Sequence, residues 1–157
     1  MHRIKIVTLT LDETDGTETI SNAKEVFGSI DKKFHGLEID SENKPTKEQK
    51  VVVYDVKLDG NSNEILKAIS NNFDSLCLTP AQIVSFVRRY PGRILAGNLP
   101  VLFLLKGKED FLKVHVDFRN GKQYEDGKSY FTIHFLGPVK RYPGWWSEYR
   151  SIVVVPE

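Results

Sequence analysis

Apolar and polar residues alternate in several short segments of the chain, which is typical of β-strands with one buried face. Residues 4–11 and 111–118 alternate most clearly, whereas residues 101–105 form a short apolar run that suits a strand buried on both faces. Strands are therefore predicted at residues 4–11, 50–58, 101–105, 111–118, 128–136 and 151–155.

The last predicted strand consists almost entirely of Ile and Val. A strand of this composition needs neighbours on both sides, because its apolar side chains are buried on both faces, as they are in the interior strands of a sheet. We expect residues 151–155 to pair with residues 50–58, which brings the two ends of this region together.

Two helices with strong start signals follow the strand at residues 50–58. Asn61 occupies an N-cap position with Glu64 three residues later, before an apolar stripe. Thr79, Pro80 and Gln82 combine an N-cap, a proline in the first turn and a capping-box partner. The apolar residues that define the two helices are Ile65, Leu66 and Ile69 in the first, and Ile83, Val84, Phe86 and Val87 in the second.

The N-terminal region has the pattern of a strand followed by a short helix. After the strand at residues 4–11, the apolar residues recur at helical spacing, and a glycine follows them. This helix is predicted from Ile20, Ala23, Val26 and Phe27, with Gly28 at its end.

Polar segments and glycines separate the predicted elements. Residues 40–50 contain a proline and show no apolar periodicity, which indicates a linker or a long surface loop. The Pro91-Gly92 pair is expected to end the second helix of the main domain. The Asn120-Gly121 pair predicts a two-residue type I′ hairpin, because both residues tolerate a positive φ.

The order of elements indicates an α+β fold. From residue 50 onward a strand, two helices and a series of antiparallel strands follow one another. We expect residues 1–40 to form a small strand–helix accessory element and residues 50–157 to form the main domain. Because the chain has 157 residues, the two parts are expected to make one compact unit.

Composition and charge narrow the classes of function. The chain is 40% hydrophobic and 27% charged, as in ordinary globular proteins, and its formal net charge is only +1. It has no basic stripe, so nucleic acid is not expected as a partner. It also has no apolar run of about 18 residues and no continuous apolar leader. We therefore expect no membrane span and no signal peptide, in a protein of the cytoplasm or of a virion.

Residues that could carry chemistry are few. The chain lacks the signatures of a nucleophile elbow, a Walker loop and a Rossmann fold, so we do not expect an enzyme. His115 and His134 invite a metal hypothesis, but a zinc site needs three or four convergent ligands, and no third one stands at a regular spacing. His115 shares a predicted strand face with Lys113 and Asp117, which favours a surface hydrogen bond. Neither a metal nor a cofactor is expected.

Cys77 is the only cysteine, which excludes an intramolecular disulfide. Its neighbours Leu76 and Leu78 indicate a buried thiol that packs as a small hydrophobic side chain. Stability must then come from packing alone.

Four features of the chain carry a resemblance to a known family. They are Leu78-Thr79-Pro80-Ala81 at the start of a helix, Tyr90-Pro91 at its end, Trp145 five residues before Arg150, and a β-branched final strand. In this pattern the chain resembles the variable proteins of diversity-generating retroelements, which have a C-type lectin fold. More narrowly, it is similar to mostly uncharacterised proteins of candidate-phylum bacteria, their viruses and archaeal relatives. The resemblance covers most of the chain.

The resemblance implies a binding protein rather than an enzyme, with a protein or a cell-surface molecule as its ligand. In such proteins a fixed C-type-lectin-like scaffold presents exposed side chains near the C-terminus, and mutagenesis by the retroelement diversifies them. On this chain the diversified region would fall between about residues 112 and 150. The ligand-binding residues that the resemblance implies are His134, Phe135, Arg141, Tyr142, Trp146, Ser147 and Tyr149.

The adjacent tryptophans are expected to play different parts. Neighbouring side chains of an extended segment point to opposite faces, so if Trp145 packs inward, Trp146 faces outward. An exposed Trp146 near Tyr142, Ser147 and Tyr149 has the composition of a binding surface, with rigid aromatics and small polar residues. A contact between subunits of a homo-oligomer is the alternative, and Trp146 can also belong to the scaffold that flanks the diversified positions.

Two residues near the end of the chain are expected to be structural. Trp145 is the tryptophan that the core would bury. Arg150 is expected to form an ion pair or a stacked guanidinium rather than to contact a ligand.

The alternative function for the whole chain is a small regulatory or oligomerising α+β domain, whose C-terminal aromatics form a subunit interface or a pocket wall.

Overall fold

A computed structural model describes the chain over residues 2–36, 42–58, 62–95, 99–139 and 149–157. Its strands are β1 (His2–Leu11), β2 (Phe27–Ile30), β3 (Gln49–Leu58), β4 (Val101–Lys106), β5 (Phe111–Arg119), β6 (Tyr130–Pro138) and β7 (Tyr149–Pro156). Its helices are α1 (Lys33–Gly36), α2 (Ser62–Ile69), α3 (Pro80–Arg89) and α4 (Pro91–Leu95), with short 3-10 helices at Phe73–Leu76 and Gly121–Gln123.

All seven strands belong to one sheet, in the order β1-β3-β7-β4-β5-β6-β2. Neighbouring strands are antiparallel except for the pairs β4–β7 and β2–β6, which are parallel. The α+β class that the order of elements predicted is confirmed. The predicted strands are confirmed as well, with small shifts of their ends.

Strand β7 lies inside the sheet. It pairs with β3 from Val51 opposite Pro156 to Leu58 opposite Tyr149, and on its other side Val101 of β4 lies opposite Ile152. The predicted pairing of the final strand with the strand near residue 50 is confirmed. Because β7 has a neighbour on each side, its Ile and Val side chains are buried.

The N-terminal region supplies both edges of the same sheet. Strand β1 pairs with β3 at one edge, and β2 pairs with β6 at the other. The register of β1 shifts between Lys5 and Val7, which is the signature of a β-bulge.

The sheet separates two hydrophobic cores, and successive residues of a strand point alternately into them. Helix α3 covers one side, which we call the α3 face, where Phe103 of β4 meets Phe86 with ring centroids 5.5 Å apart. Helix α2 and the 3-10 helix Phe73–Leu76 cover the other side, the α2 face, where Leu102 and Leu104 of β4 are buried.

Helix α3 begins as its sequence predicts. The Thr79 hydroxyl accepts a hydrogen bond from the backbone N–H of Gln82, and the Gln82 side chain accepts one from the N–H of Thr79. The helix ends at Arg89, before Pro91, but Pro91 and Gly92 then open helix α4 instead of a loop. Helix α2 is also present, while its predicted cap Asn61 lies outside the described residues.

The predicted helix at residues 20–27 is wrong. Ala23 and Val26 donate to Ile20 and Ala23, respectively, as successive turns, and Phe27 already begins strand β2. The buried side chains of Ile20, Ala23 and Phe27 therefore reach the core from turns rather than from one helical face. Gly28 lies within β2, where the Tyr130 side chain leaves no room for an added Cβ.

The predicted type I′ turn at Asn120-Gly121 is also wrong. Asn120 has a negative φ of −83°, and its side chain accepts from the N–H of Lys122 at the start of the 3-10 helix Gly121–Gln123. The positive φ in this connection belongs to Gly127. A wider loop thus joins β5 to β6.

Candidate functional site

A group of polar side chains lies on the α2 face where β5 and β6 run side by side. Directly paired residues of adjacent strands share a face. His115 lies opposite Leu102, and Lys113 lies opposite Leu104, so both belong to the α2 face of β5.

Strand β6 completes the group. His134 lies opposite His115, and Thr132 lies opposite Asp117. We call the resulting set the polar patch: Lys113, His115, Asp117, Thr132 and His134.

The apolar cover of the α2 face ends where the polar patch begins. Phe111 of β5 meets Phe73 edge to face, with ring centroids 5.8 Å apart, and belongs to the core under the 3-10 helix. Further along the same strand face Lys113 is buried, His115 and Asp117 are half-buried, and His134 across from them is exposed. The patch therefore passes from the core to solvent within a few residues.

His115 sits between a carboxylate and a second imidazole. Its Nε2 lies 3.4 Å from Oδ2 of Asp117, and its ring centroid lies 5.0 Å from that of His134. Burial lowers the pKa of His115 below its ordinary value, and His134 adds to this shift, while the Asp117 carboxylate opposes it. The imidazole is therefore mostly neutral near neutral pH.

Hydrogen bonding orients His134 but leaves one nitrogen of His115 without a partner. The Thr132 hydroxyl is hydrogen-bonded to Nε2 of His134 at 3.0 Å. Nδ1 of His115 is buried and has no hydrogen-bond partner among the residues that the structure describes. Buried polar atoms of this kind are rare in proteins, so the atom calls for an explanation.

One ring nitrogen of each histidine and one carboxylate oxygen of Asp117 lie within 4.8 Å of one another. Such a set can hold a polar ligand by hydrogen bonds or coordinate a metal ion. The sequence predicts no third ligand for His115 and His134, although Asp117 lies two residues from His115. The missing information was the register of β5 against β6, which brings His134 across from that pair.

Lys113 is an unusual member of the patch, because its side chain is only 1% exposed. Burial lowers its pKa to about 8, and the Asp110 carboxylate opposes the shift. The ammonium therefore titrates much closer to neutral pH than that of an ordinary lysine.

The structure separates two neighbours that the sequence placed on one binding surface. His134 is exposed on the α2 face. Phe135 is half-buried on the opposite face, where its ring meets that of Phe34 at 6.1 Å and its N–H donates to Asp31. Because the side chains of adjacent strand residues point to opposite faces, the two residues cannot serve one flat surface.

Of the remaining predicted residues, the structure describes the backbone of Tyr149 and the whole of Arg150. Tyr149 begins β7 opposite Leu58. Arg150 donates from Nε and Nη2 to the two carboxylate oxygens of Asp55, at 3.0 and 2.6 Å. The residues that lie outside the described part of the chain are Arg141, Tyr142, Trp145, Trp146 and Ser147.

No protein-family model matches the chain, and no curated protein and no solved structure is significantly similar to it.

The helices and the cysteine have one further property each. None of the helices in the described ranges is long and apolar enough to cross a bilayer.

Cys77 is half-buried, and burial raises the pKa of its thiol to about 12, with a further contribution from Asp74. A group with this pKa is a poor nucleophile near neutral pH.

Proposed function

We propose that the protein is a ligand-recognition module. Its binding surface would combine the exposed part of the polar patch with the aromatic segment at residues 141–149, which includes Arg141, Tyr142, Trp146, Ser147 and, as the first residue of β7, Tyr149. Its ligand would be a protein or a cell-surface molecule, bound by shape and by hydrogen bonds.

The observation that carries this proposal is the position of β7. Strand β7 is paired along its length with β3 and also pairs with β4, so the backbone that follows the aromatic segment is fixed on both sides. Strand β6, which precedes the segment, is likewise held between β5 and β2. A segment anchored at both ends by a rigid sheet can change its side chains without unfolding the domain.

The chemistry of the proposed surface supports recognition. The segment carries aromatic residues, which give large contact areas at low entropic cost, and small polar residues, which adapt their hydrogen bonds. His134, which precedes the segment in sequence, is exposed, and Asp117 across from it on β5 is half-exposed, so the sheet offers hydrogen-bonding groups of its own.

We further propose that the scaffold is C-type-lectin-like and that the chain is the variable protein of a diversity-generating retroelement. Two features support this scaffold: helices α2, α3 and α4 all lie between β3 and β4 in sequence, and the final strand returns to pair with β3. Sequencing the DNA that flanks the gene tests the retroelement. We expect a reverse transcriptase gene and an imperfect template copy of the region that encodes residues 112–150, and their absence would reject this part of the proposal.

A display library tests recognition directly. Tyr142, Ser147 and Tyr149 are randomised together, and the library is selected against immobilised lysozyme and streptavidin. We expect target-specific binders whose melting temperatures stay close to that of the parent chain, because exposed substitutions change stability by only about 0.5 kcal/mol each. The matched control randomises the buried residues Val153, Val154 and Val155.

The two libraries give opposite results if the proposal holds. The control library should lose most of its folded clones, measured by protease resistance on the display particle. If randomising Tyr142, Ser147 and Tyr149 costs as many folded clones as the control does, these residues are core or obligate interface, and the recognition surface is rejected.

A second candidate function, an oligomerising domain, is favoured by the edge strand β1. Ile4 and Ile6 of β1 are 50% and 45% exposed, which is unusual for large apolar side chains on a free edge. Light scattering coupled to gel filtration decides between monomer and dimer. If a dimer forms and Ile6→Lys dissociates it, while Thr8→Lys further along β1 does not, oligomerisation is part of the function.

A further inference from the structure

We propose that His115, Asp117 and His134 bind one divalent transition-metal ion of the zinc class, with a coordination position open to solvent. This site goes beyond the recognition function, because none of the aromatic residues named above contributes to it. It would exist on the same sheet face whether or not that surface binds a ligand.

The donor atoms are already close to coordination distances. In a tetrahedral zinc site, metal–nitrogen distances of about 2.0–2.1 Å place neighbouring donors roughly 3.4 Å apart. Nε2 of His115 and Oδ2 of Asp117 are 3.4 Å apart, and a donor of His134 lies within 4.8 Å of a donor of each of these residues. A side-chain adjustment of His134 of about 1 Å brings all three to a common centre.

The backbone under the site is rigid, which favours metal binding over a chance encounter of side chains. The two histidines lie directly opposite each other on adjacent antiparallel strands, and Asp117 is two residues along the same strand face. Val114 and Val116, which alternate with the ligands on β5, are fully buried in the core beneath the sheet. The positions of the three Cβ atoms are therefore set by the sheet, and only side-chain torsions adjust.

The hydrogen bond on the ring of His134 also suits coordination. Ligating histidines in proteins are usually oriented by a hydrogen bond on the nitrogen that does not touch the metal. Thr132 provides such a bond to Nε2 of His134. Nδ1 of His115 is buried and has no such partner among the described residues, so of the two rings only that of His134 has this support.

The set of donors selects the class of metal. Imidazole suits zinc, nickel, cobalt and copper, whereas calcium and magnesium need several oxygen ligands, of which these residues supply one carboxylate. Three protein ligands leave the fourth position of a tetrahedral ion free. Because His134 is exposed, that position faces solvent and could take water or a donor atom from a ligand.

Isothermal titration of the full chain with Zn²⁺ tests the site, after removal of bound metal with a chelator. We expect one ion per chain, and we expect Asp117→Asn and His134→Ala each to weaken binding by about tenfold or more. The matched control is His35→Ala, which removes an exposed histidine of α1 outside the patch and should bind as the parent does. Far-UV circular dichroism of each metal-free variant checks that it is folded.

A second readout does not depend on the heat of binding. Co²⁺ in place of Zn²⁺ should give visible absorption bands of a low-coordinate site in the parent and in His35→Ala, and weak octahedral bands in Asp117→Asn. At the same concentration, Zn²⁺ should raise the melting temperature of the first two proteins by more than that of the third. The site is rejected if the parent binds no Zn²⁺, or if Asp117→Asn and His134→Ala, both folded, bind it as tightly as the parent.

The outcome is separable from that of the recognition proposal. A variant with alanine at Tyr142, Ser147 and Tyr149 should bind Zn²⁺ as the parent does. Loss of ligand selection with intact Zn²⁺ binding would reject recognition alone, and the reverse result would reject the metal site alone.

Discussion

Val53 of β3 pairs with Val154 of β7 in the middle of the sheet, and the two side chains are 1% and 0% exposed. Both belong to the core on the α3 face. Because β7 also pairs with β4, this contact joins the β1–β3 part of the sheet to the part that carries the polar patch.

Shortening Val154 should destabilise the whole protein. Val154→Ala removes two methyl groups from a fully buried position, and we expect the free energy of unfolding to fall by about 2 kcal/mol in urea denaturation. Lys5→Ala on the exposed edge strand β1 serves as the control and should change it by less than about 0.5 kcal/mol. Equal effects of the two substitutions would contradict the central position of β7.

The capping box of α3 gives a second prediction about stability. Thr79→Ala removes the acceptor of the Gln82 N–H, which lies 3.2 Å from the Thr79 hydroxyl, and should cost about 1 kcal/mol. Thr79→Ser keeps the hydroxyl and should cost much less. Urea denaturation of the three proteins measures both values, and a similar loss in Thr79→Ser would point to the methyl group rather than to the cap.

Asp31 should make stability depend on pH. Burial acts to raise the pKa of its carboxyl, but the N–H groups of Lys33 and Phe135 outweigh it, together with the charges of Lys33 and His134. The net pKa therefore lies below the ordinary value. A carboxyl of this kind stabilises the fold above its unfolded pKa, and this contribution is lost as the pH falls through the folded pKa.

The comparison with Asp31→Asn isolates that contribution. We expect the parent to be more stable than the variant near neutral pH, and the difference to shrink as the pH falls below about 4. Unfolding in urea at a series of pH values provides the measurement. A difference that stays constant down to strongly acidic pH would show that the ionised form of Asp31 is not what stabilises the fold.

Cys77 should resist alkylation in the native protein. Its pKa of about 12 follows first from burial and then from the Asp74 carboxylate, with Lys106 opposing. Since the thiolate is the reactive form, native Cys77 should react with iodoacetamide near pH 8 roughly a hundredfold more slowly than in the unfolded chain. Mass spectrometry of timed samples, with and without denaturant, measures the two rates. Similar rates would mean that the thiol is exposed.

Local patterns in the sequence were sufficient where one element determines its own structure. Strict alternation located β5, and the Thr79–Gln82 box located the start of α3, because strand faces and helix caps depend on nearby residues. The pairing of β3 with β7 could be predicted as well, since a strand of Ile and Val has no stable place at an edge.

Structure that depends on distant contacts could not be predicted in this way. The loop after β5 is shaped by Arg119. Its guanidinium donates a hydrogen bond to the Asp126 carboxylate and lies 3.7 Å from the centre of the Tyr124 ring. These contacts override the local preference of Asn120-Gly121 for a tight turn. The same loop sets the register that places His134 opposite His115, so the polar patch could not be assembled from spacing alone.

The place of β7 in the sheet has a consequence for biosynthesis. While the ribosome is still adding residues 140–148, β3 and β4 have already been made, and each has a valine- or leucine-rich edge without its partner. Such edges can pair with other chains, so the gap between β3 and β4 is an aggregation hazard until residues 149–156 close it.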